Sequence, residues 1–291
     1  MDQEFTDRFW DSPDGLKLHF RDYAAHADVP ADRPPVICLP GLTRNARDFD
    51  GVASRIAGEW RVICIDNRGR AQSEYAKESA TYNPLTYVGD LLALLAQESI
   101  DRFVAIGTSL GGLMTMLLAA TGPERIAGAL LNDIGPELDP AGIARISGYV
   151  GQGRSFPTWM HAARTLADGN GDYFPDFETA DWLTMAKRNM CVTSNGRIGF
   201  DYDMKIAEPI AADESNAAPP NLWPAYEALA GRPVTILRGE LSDLFSKETF
   251  EEMQRRIPDA EGVTIPRVGH APFLEEPESQ AAIDRLLERV R

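Results

Sequence analysis

Six short apolar runs, each bounded by turn residues, set the pattern of this chain: "PPVICLPG", "WRVICIDNRG", "RFVAIGTS", "IAGALLNDIG", "RPVTILRGE" and "EGVTIPRVGH". They are rich in valine and isoleucine and lack a clean polar–apolar alternation, as strands covered on both faces require. Between them lie segments of helical period, such as "LTYVGDLLALLAQ", with Val88, Leu91, Leu92 and Leu95 on one side, and "AAIDRLLERVR", with Ile283, Leu286, Leu287 and Val290. Strands alternating with helices imply parallel strands joined by right-handed crossovers. Ahead of them, "EFTDRFW" and "LKLHFRDY" flank "DSPDG", whose Pro13 and Gly15 are turn formers, so an antiparallel hairpin is expected first.

The rhythm breaks once. From about Leu138 to Gly231 there is no strand-like run, only aromatic and methionine-bearing pieces such as "TWMHAARTLADG", "DWLTMAKRNMC" and "PNLWPAYEALA", punctuated by Pro219 and Pro220. The stretch is too long for an ordinary connection and reads as a helical insertion between two consecutive strands. That divides the chain into a core of residues 1–137 and 232–291 and a cap of residues 138–231. An insertion at this edge of an open α/β sheet overhangs the carboxyl ends of the strands, where ligands bind.

Bulk properties narrow the partners. The amino terminus, "MDQEFTDRFW", has neither the basic start nor the apolar run of a secretory signal, and no window approaches the roughly 18 apolar residues of a membrane helix, so a cytoplasmic protein is expected. A formal charge of −15 repels polyanions, which argues against nucleic acid, anionic membrane surfaces and heavily phosphorylated substrates. A neutral substrate that leaves as a carboxylate suits such a surface, and a monomer and a homodimer are equally open. Of three cysteines, Cys38 and Cys64 sit inside strand-like runs as small buried thiols, with no metal-type spacing.

Chemistry enters at "FVAIGTSLGG", residues 103–112. Here G-x-S-x-G follows an expected strand and opens a wholly apolar helix, the context in which the pattern marks an exposed nucleophile. The reversal from strand to helix places Ser109 in a strained backbone conformation, and Gly107 and Gly111 remove side chains that would strike neighbouring backbone. The competing reading is a serine that merely caps the helix. Serine is a weak nucleophile until a base takes its proton, so a histidine and an acid are required.

Of four histidines, His19 lies in the hairpin, His26 just beyond it and His161 in the insertion, whereas His270 follows the last strand in "RVGHAPFLEEPE". It therefore belongs to a loop at the sheet edge that displays Ser109. The order Ser, acid, His along the chain puts the acid between them. Asp243, in "TILRGELSDLFS" after the next-to-last strand, is the favoured candidate. Glu240 on the same loop is a rival, as is Asp133 in "LLNDIGP", which otherwise reads as a turn residue ahead of Pro136. Two preorganised amides would hold an oxyanion: Leu110, after the nucleophile, and Leu42 in "CLPGLTRN", where Gly41 permits close approach.

With these residues assembled, the chain resembles the α/β-hydrolase fold family, in its serine-nucleophile, esterase-like members with a helical cap after the sixth strand. The resemblance runs through nearly the whole chain, in order: hairpin, "PGLT", "DNRGRAQS", "GTSLGG", cap, "RGELSD" and "GHAPFLEEPE". It implies a mostly parallel sheet of about eight strands with helices on both faces. Two departures stand out. Pro40-Gly41 replaces the His-Gly often found in the oxyanion loop, which changes how that loop is braced, and Ala71 replaces the second glycine of D-x-R-G-x-G-x-S, with packing as the expected consequence.

Serine at the elbow forms an acyl-enzyme from an ester, thioester, lactone or amide, whereas epoxide- and halide-processing relatives use aspartate there. The leading expectation is a small carboxylic ester or lactone hydrolase in which Ser109 attacks, His270 moves the proton and Asp243 orients His270. No metal or organic cofactor is required. Trp159, Trp182 and Met185, with Met160, Met190 and Trp223, are candidates for an apolar substrate wall and equally for the cap's own core. Carbon–carbon bond hydrolase and acyltransferase remain alternatives in the same fold, with Arg44, Arg68 and Arg188 as candidate carboxylate clamps. A hydrolase-like receptor for a small molecule is the alternative of another class.

Overall fold

In a computed structural model the protein is described over residues 4–212 and 221–290; Pro219 and Pro220 lie outside the described residues. The amino-terminal strands β1 (Thr6–Asp11) and β2 (Lys17–Tyr23) form the antiparallel hairpin expected from the turn residues between them. The remaining apolar runs become β3 (Val36–Leu39), β4 (Val62–Ile65), β5 (Phe103–Thr108), β6 (Ile126–Asn132), β10 (Val234–Gly239) and β11 (Glu261–Ile265). They join into one eight-stranded sheet of order β1-β2-β4-β3-β5-β6-β10-β11, parallel from β4 onward.

Both faces of this sheet are covered, which is why its strands read as unbroken apolar runs. In β5, Phe103 and Ala105 face one core cluster while Val104 and Ile106 face the other. The first cluster takes α2 (Pro84–Gln97), α3 (Leu110–Thr121), α8 (Trp223–Glu227) and α9 (Lys247–Arg256). The second takes α1 (Asp50–Ile56) and α10 (Pro277–Val290), whose Ile283, Leu286 and Leu287 are buried as the helical period predicts. In α2 the expected face is displaced: Leu91 and Leu95 are buried, but Leu92 is 37% exposed and Leu94 takes its place in the core. Cys38 and Cys64 are buried strand thiols, and burial pushes the Cys64 thiol well up.

Between β6 and β10 the chain leaves the sheet for α4 (Pro140–Tyr149), α5 (Trp159–Asn170), α6 (Thr179–Asn189) and α7 (Ala207–Ala212). The insertion is not wholly helical. Strands β7 (Ser155–Phe156), β8 (Met190–Val192) and β9 (Ile198–Phe200) form a small antiparallel sheet of order β7-β9-β8. Runs of two or three residues fall below the length at which alternation is visible in a sequence. Among the described residues no helix is long and apolar enough to cross a membrane.

The hairpin is tied to the loops around the site through one buried histidine. His19 Nδ1 lies 2.7 Å from Asp66 and Nε2 lies 2.8 Å from Asp7, while the other Asp66 oxygen accepts the Ala46 N–H at 2.7 Å. Burial disfavours protonation of His19, but the hydrogen bonds and charges of Asp66 and Asp7 outweigh it and raise the imidazole above its ordinary value of 6.5. A group whose folded value is raised contributes stability that is fully present below the unfolded value and is lost as pH rises through the folded one. Urea unfolding followed upward from just below the ordinary histidine value is therefore expected to show wild type losing stability relative to His19→Gln; a difference that does not change with pH would contradict this brace.

Candidate active site

The strand-to-helix junction carries the strain that its glycines suggest. Ser109, between β5 and α3, has φ of 51° and ψ of −113°. For a residue with a Cβ this costs on the order of 1–3 kcal/mol and persists only where surroundings over-determine it. Here they do: the Ser109 N–H donates to the Asn132 carbonyl at 2.9 Å. A Cβ on Gly107 would come within 2.5 Å of the Gly111 carbonyl carbon, and one on Gly111 would collide with the Leu39 carbonyl oxygen. The Ser109 side chain makes no capping hydrogen bond to α3, so the reading of a simple helix cap is not met. Its Oγ instead lies 3.0 Å from His270 Nε2.

The carboxylate on the far side of His270 is Asp133, not Asp243. Asp133 Oδ2 is 2.7 Å from His270 Nδ1, and the Asp133 side chain is fully buried. The same carboxylate accepts the Ser242 hydroxyl at 2.6 Å and the Gly239 N–H at 2.7 Å, so its charge is held by three donors. Asp243 is the correction to the sequence reading: it forms a two-pronged pair with Arg145 of α4, at 2.5 and 2.8 Å. Partial burial would raise the Asp243 carboxyl, but Arg145 outweighs that and holds it below the usual carboxylate value. The loop after β10 turns Ser242 toward Asp133, while its successor Asp243 points to Arg145 in the insertion. Glu240 is also elsewhere, accepting the Arg267 N–H at 2.8 Å.

Asn132, next to Asp133, was not singled out by its sequence context. Its Nδ2 donates to Thr108 Oγ1 at 3.0 Å and to the Pro272 carbonyl at 2.8 Å, which links the elbow strand to the histidine loop. Ser242 likewise gave no signal beyond that of a turn former.

Leu110 begins α3, so its N–H has no carbonyl in a preceding helical turn. The loop bearing Leu42 runs beside the serine: a Cβ on Gly41 would stand 3.8 Å from Ser109 Cβ. What braces this loop is Arg70. Its guanidinium, fully buried, donates to the Leu42 carbonyl from Nε at 2.9 Å and Nη2 at 2.7 Å. Nη1 donates to the Arg68 carbonyl at 2.6 Å and to Tyr87 Oη at 3.1 Å. Ala71, the departure at the second glycine, has φ of 45°, so it places a Cβ in the left-handed region and its effect is on the backbone as well as on packing.

Ser109, His270 and Leu42 line one cavity of about 330 Å³. Phe49, Phe156, Phe174, Met185, Phe200 and Phe273 supply much of its apolar wall. Of the three insertion residues expected there, Met185 lines the cavity. Trp182 does not: it is buried in an aromatic cluster, at 6.2 Å from Phe174 and 5.0 Å from Phe177. Trp159 also lies off the wall, partly buried against the second core cluster. Among the arginines weighed as carboxylate clamps, Arg44 lines the cavity, Arg68 is buried against Asp90 and Asp14, and Arg188 pairs with Glu275. Among the described residues no group of acidic, histidine or cysteine side chains has the arrangement of a metal site.

A family profile described as "Alpha/beta hydrolase family" matches residues 36–283, from β3 through α10. The chain belongs to the α/β hydrolase family. This hydrolase-family chain is 35% identical to a 3-hydroxybutyrate-oligomer hydrolase of Cupriavidus necator, across 94% of this chain and 93% of that protein. It is 26% identical to an esterase of Mycobacterium tuberculosis, across 87% of this chain and 82% of that one. A crystal structure of an α/β hydrolase from Novosphingobium aromaticivorans superposes with a TM-score of 0.93 at 59% identity, covering 99% of both chains.

The Arg70 brace is testable by stability alone. Arg70→Met leaves the carbonyls of Leu42 and Arg68 without these donors, and each buried polar group so stranded costs about 1–3 kcal/mol. A loss of about 3 kcal/mol in unfolding free energy is expected by urea titration; a change below about 1 kcal/mol would show the loop to be held by something else.

Proposed function

We propose that this α/β hydrolase cleaves small carboxylic esters through an acyl-enzyme on Ser109. The observation that carries the reading is the continuous hydrogen-bond chain from Ser109 Oγ through His270 to buried Asp133. With Asp133 accepting from Nδ1, the Nε2 lone pair is directed at the serine hydroxyl, so His270 takes the hydroxyl proton as Oγ attacks the ester carbonyl. The charge that develops on the carbonyl oxygen is met by the amides of Leu110 and Leu42, the second kept in place by Arg70. Imidazolium then passes its proton to the departing alkoxide. Water, activated by the same imidazole, attacks the acyl-enzyme and releases a carboxylic acid and the free serine. The Asp133 side chain, hydrogen-bonded to Nδ1, orients and stabilises the imidazolium.

The wall and the relatives support one substrate class. An apolar cavity of about 330 Å³ suits a short aliphatic chain rather than a polymer. The Cupriavidus protein of 35% identity is a 3-hydroxybutyrate-oligomer hydrolase, which supports short oligoesters of hydroxy acids as the natural substrates.

A series of p-nitrophenyl esters from acetate to octanoate, run beside the 3-hydroxybutyrate dimer and trimer, tests this. Ser109→Ala is expected to abolish turnover, and Asp133→Asn to lower kcat by about 10⁴, the size known for loss of the histidine-orienting acid in serine proteases. Asp243→Asn is expected to stay within about tenfold of wild type, since it touches the histidine nowhere. An Asp243→Asn loss as large as that of Asp133→Asn would overturn the assignment, and turnover surviving Ser109→Ala would overturn the mechanism.

A further inference from the structure

The charge of the cavity wall runs against that of the molecule. The chain carries 44 acidic and 29 basic side chains, yet the wall contains three arginines, Arg44, Arg145 and Arg154, and a single carboxylate, Asp48. Two of these arginines are already answered. Arg44 makes a two-pronged pair with Asp48 at 2.5 and 2.6 Å, and Arg145 makes one with Asp243 behind the wall. Arg154 is different. It stands just ahead of β7, is exposed, and has no acidic partner among the described residues. Most arginines of this acidic chain pair with a carboxylate; this one, on the wall of the cavity that holds Ser109, has none among the described residues.

A net charge of −15 holds anions off, so a negatively charged substrate needs a local cation to enter. We propose that Arg154 receives the free carboxylate of the substrate, so that the preferred esters are monoanions with an acid group remote from the scissile bond. This rests on ester cleavage at Ser109 and specifies which esters are taken. A linear oligoester of a hydroxy acid has this form: one end is an alcohol, the other a carboxylate, and the last ester bond lies a few atoms from that carboxylate. The guanidinium fork matches a carboxylate with two parallel hydrogen bonds, and the apolar wall takes the intervening chain. Whole-molecule charge alone suggests a neutral substrate; the local charge at the mouth reverses that expectation.

The experiment compares the 3-hydroxybutyrate trimer as its free acid with the same trimer capped as a terminal amide. Wild type is expected to favour the acid in kcat/KM, with the preference shrinking as sodium chloride is added. Arg154→Gln should reduce the acid-to-amide ratio by about tenfold, and Arg154→Lys should recover part of it. Arg102→Gln, at the opposite edge of β5, should leave the ratio unaltered. In the Ser109→Ala background, titration calorimetry should show the free acid bound about tenfold more weakly once Arg154 is Gln. An acid-to-amide ratio unaffected by Arg154→Gln, in enzyme that still hydrolyses both trimers through Ser109, would overturn the carboxylate site alone. If wild type hydrolyses neither trimer, the ester reading itself fails and takes this inference with it.

Discussion

The backbone reversal at Ser109 requires β3, β5 and the start of α3 to meet at atomic contact, and most of the site follows from how closely they meet. Gly111 packs on the Leu39 carbonyl and Gly107 on Gly111, so no side chain separates the sheet from the helix at that point. The resulting φ of 51° lifts the hydroxyl off the helix axis, where it cannot cap α3 and faces the histidine loop instead. Strain of this kind costs on the order of 1–3 kcal/mol, small against a core in which β5 and β6 are buried on both faces. The first amide of α3 has no intrahelical acceptor at the same turn, so the nucleophile and the oxyanion donor of the proposed mechanism would arise from one piece of geometry.

Around that junction the fold uses charge for position. Asp133, fully buried, is held by a backbone amide, a serine and the histidine, so removing any one leaves part of a buried anion unanswered. Arg70 brings a buried cation to a carbonyl rather than to an acid, which fixes the loop after β3 without introducing a competing carboxylate beside the serine. The insertion is tied down by Arg145–Asp243, Arg47–Asp201, Arg188–Glu275 and Arg267–Asp176. Of these only Arg267–Asp176 is exposed on both sides, and a pair of that sort is worth about 0–1 kcal/mol; the others are partly buried, and together they orient the insertion over the cavity while its aromatic cluster supplies the packing.

The parts of this arrangement that are local in the chain could be read from residues alone. Valine- and isoleucine-rich runs mark buried strands because both faces are covered, and G-x-S-x-G marks the elbow because the spacing of its glycines is local, Gly107 meeting Gly111 four residues on, although Gly111 itself answers the distant Leu39 carbonyl. His270 is legible from its place after the last strand. The carboxylate that meets the imidazole is not: Asp133 and Asp243 both follow neighbouring strands at the same sheet edge, and which one reaches His270 depends on the turn that points Ser242 toward Asp133. Arg70, Asn132 and Ser242 were illegible for a similar reason, since their partners lie across the fold and their residue types are ordinary in loops. Trp182 and Met185 share one helix, yet only the second faces the cavity, because α6 packs its indole against Phe174 and Phe177.

In the proposed mechanism the imidazole of His270 makes Ser109 the activated hydroxyl. Treatment with diethyl p-nitrophenyl phosphate followed by peptide mass mapping addresses it without reference to any natural substrate. One diethylphosphoryl group on the peptide containing Ser109, formed at a rate that collapses in a His270→Ala protein, is the predicted result. Modification at another residue, or labelling of Ser109 that proceeds equally well without His270, would contradict it.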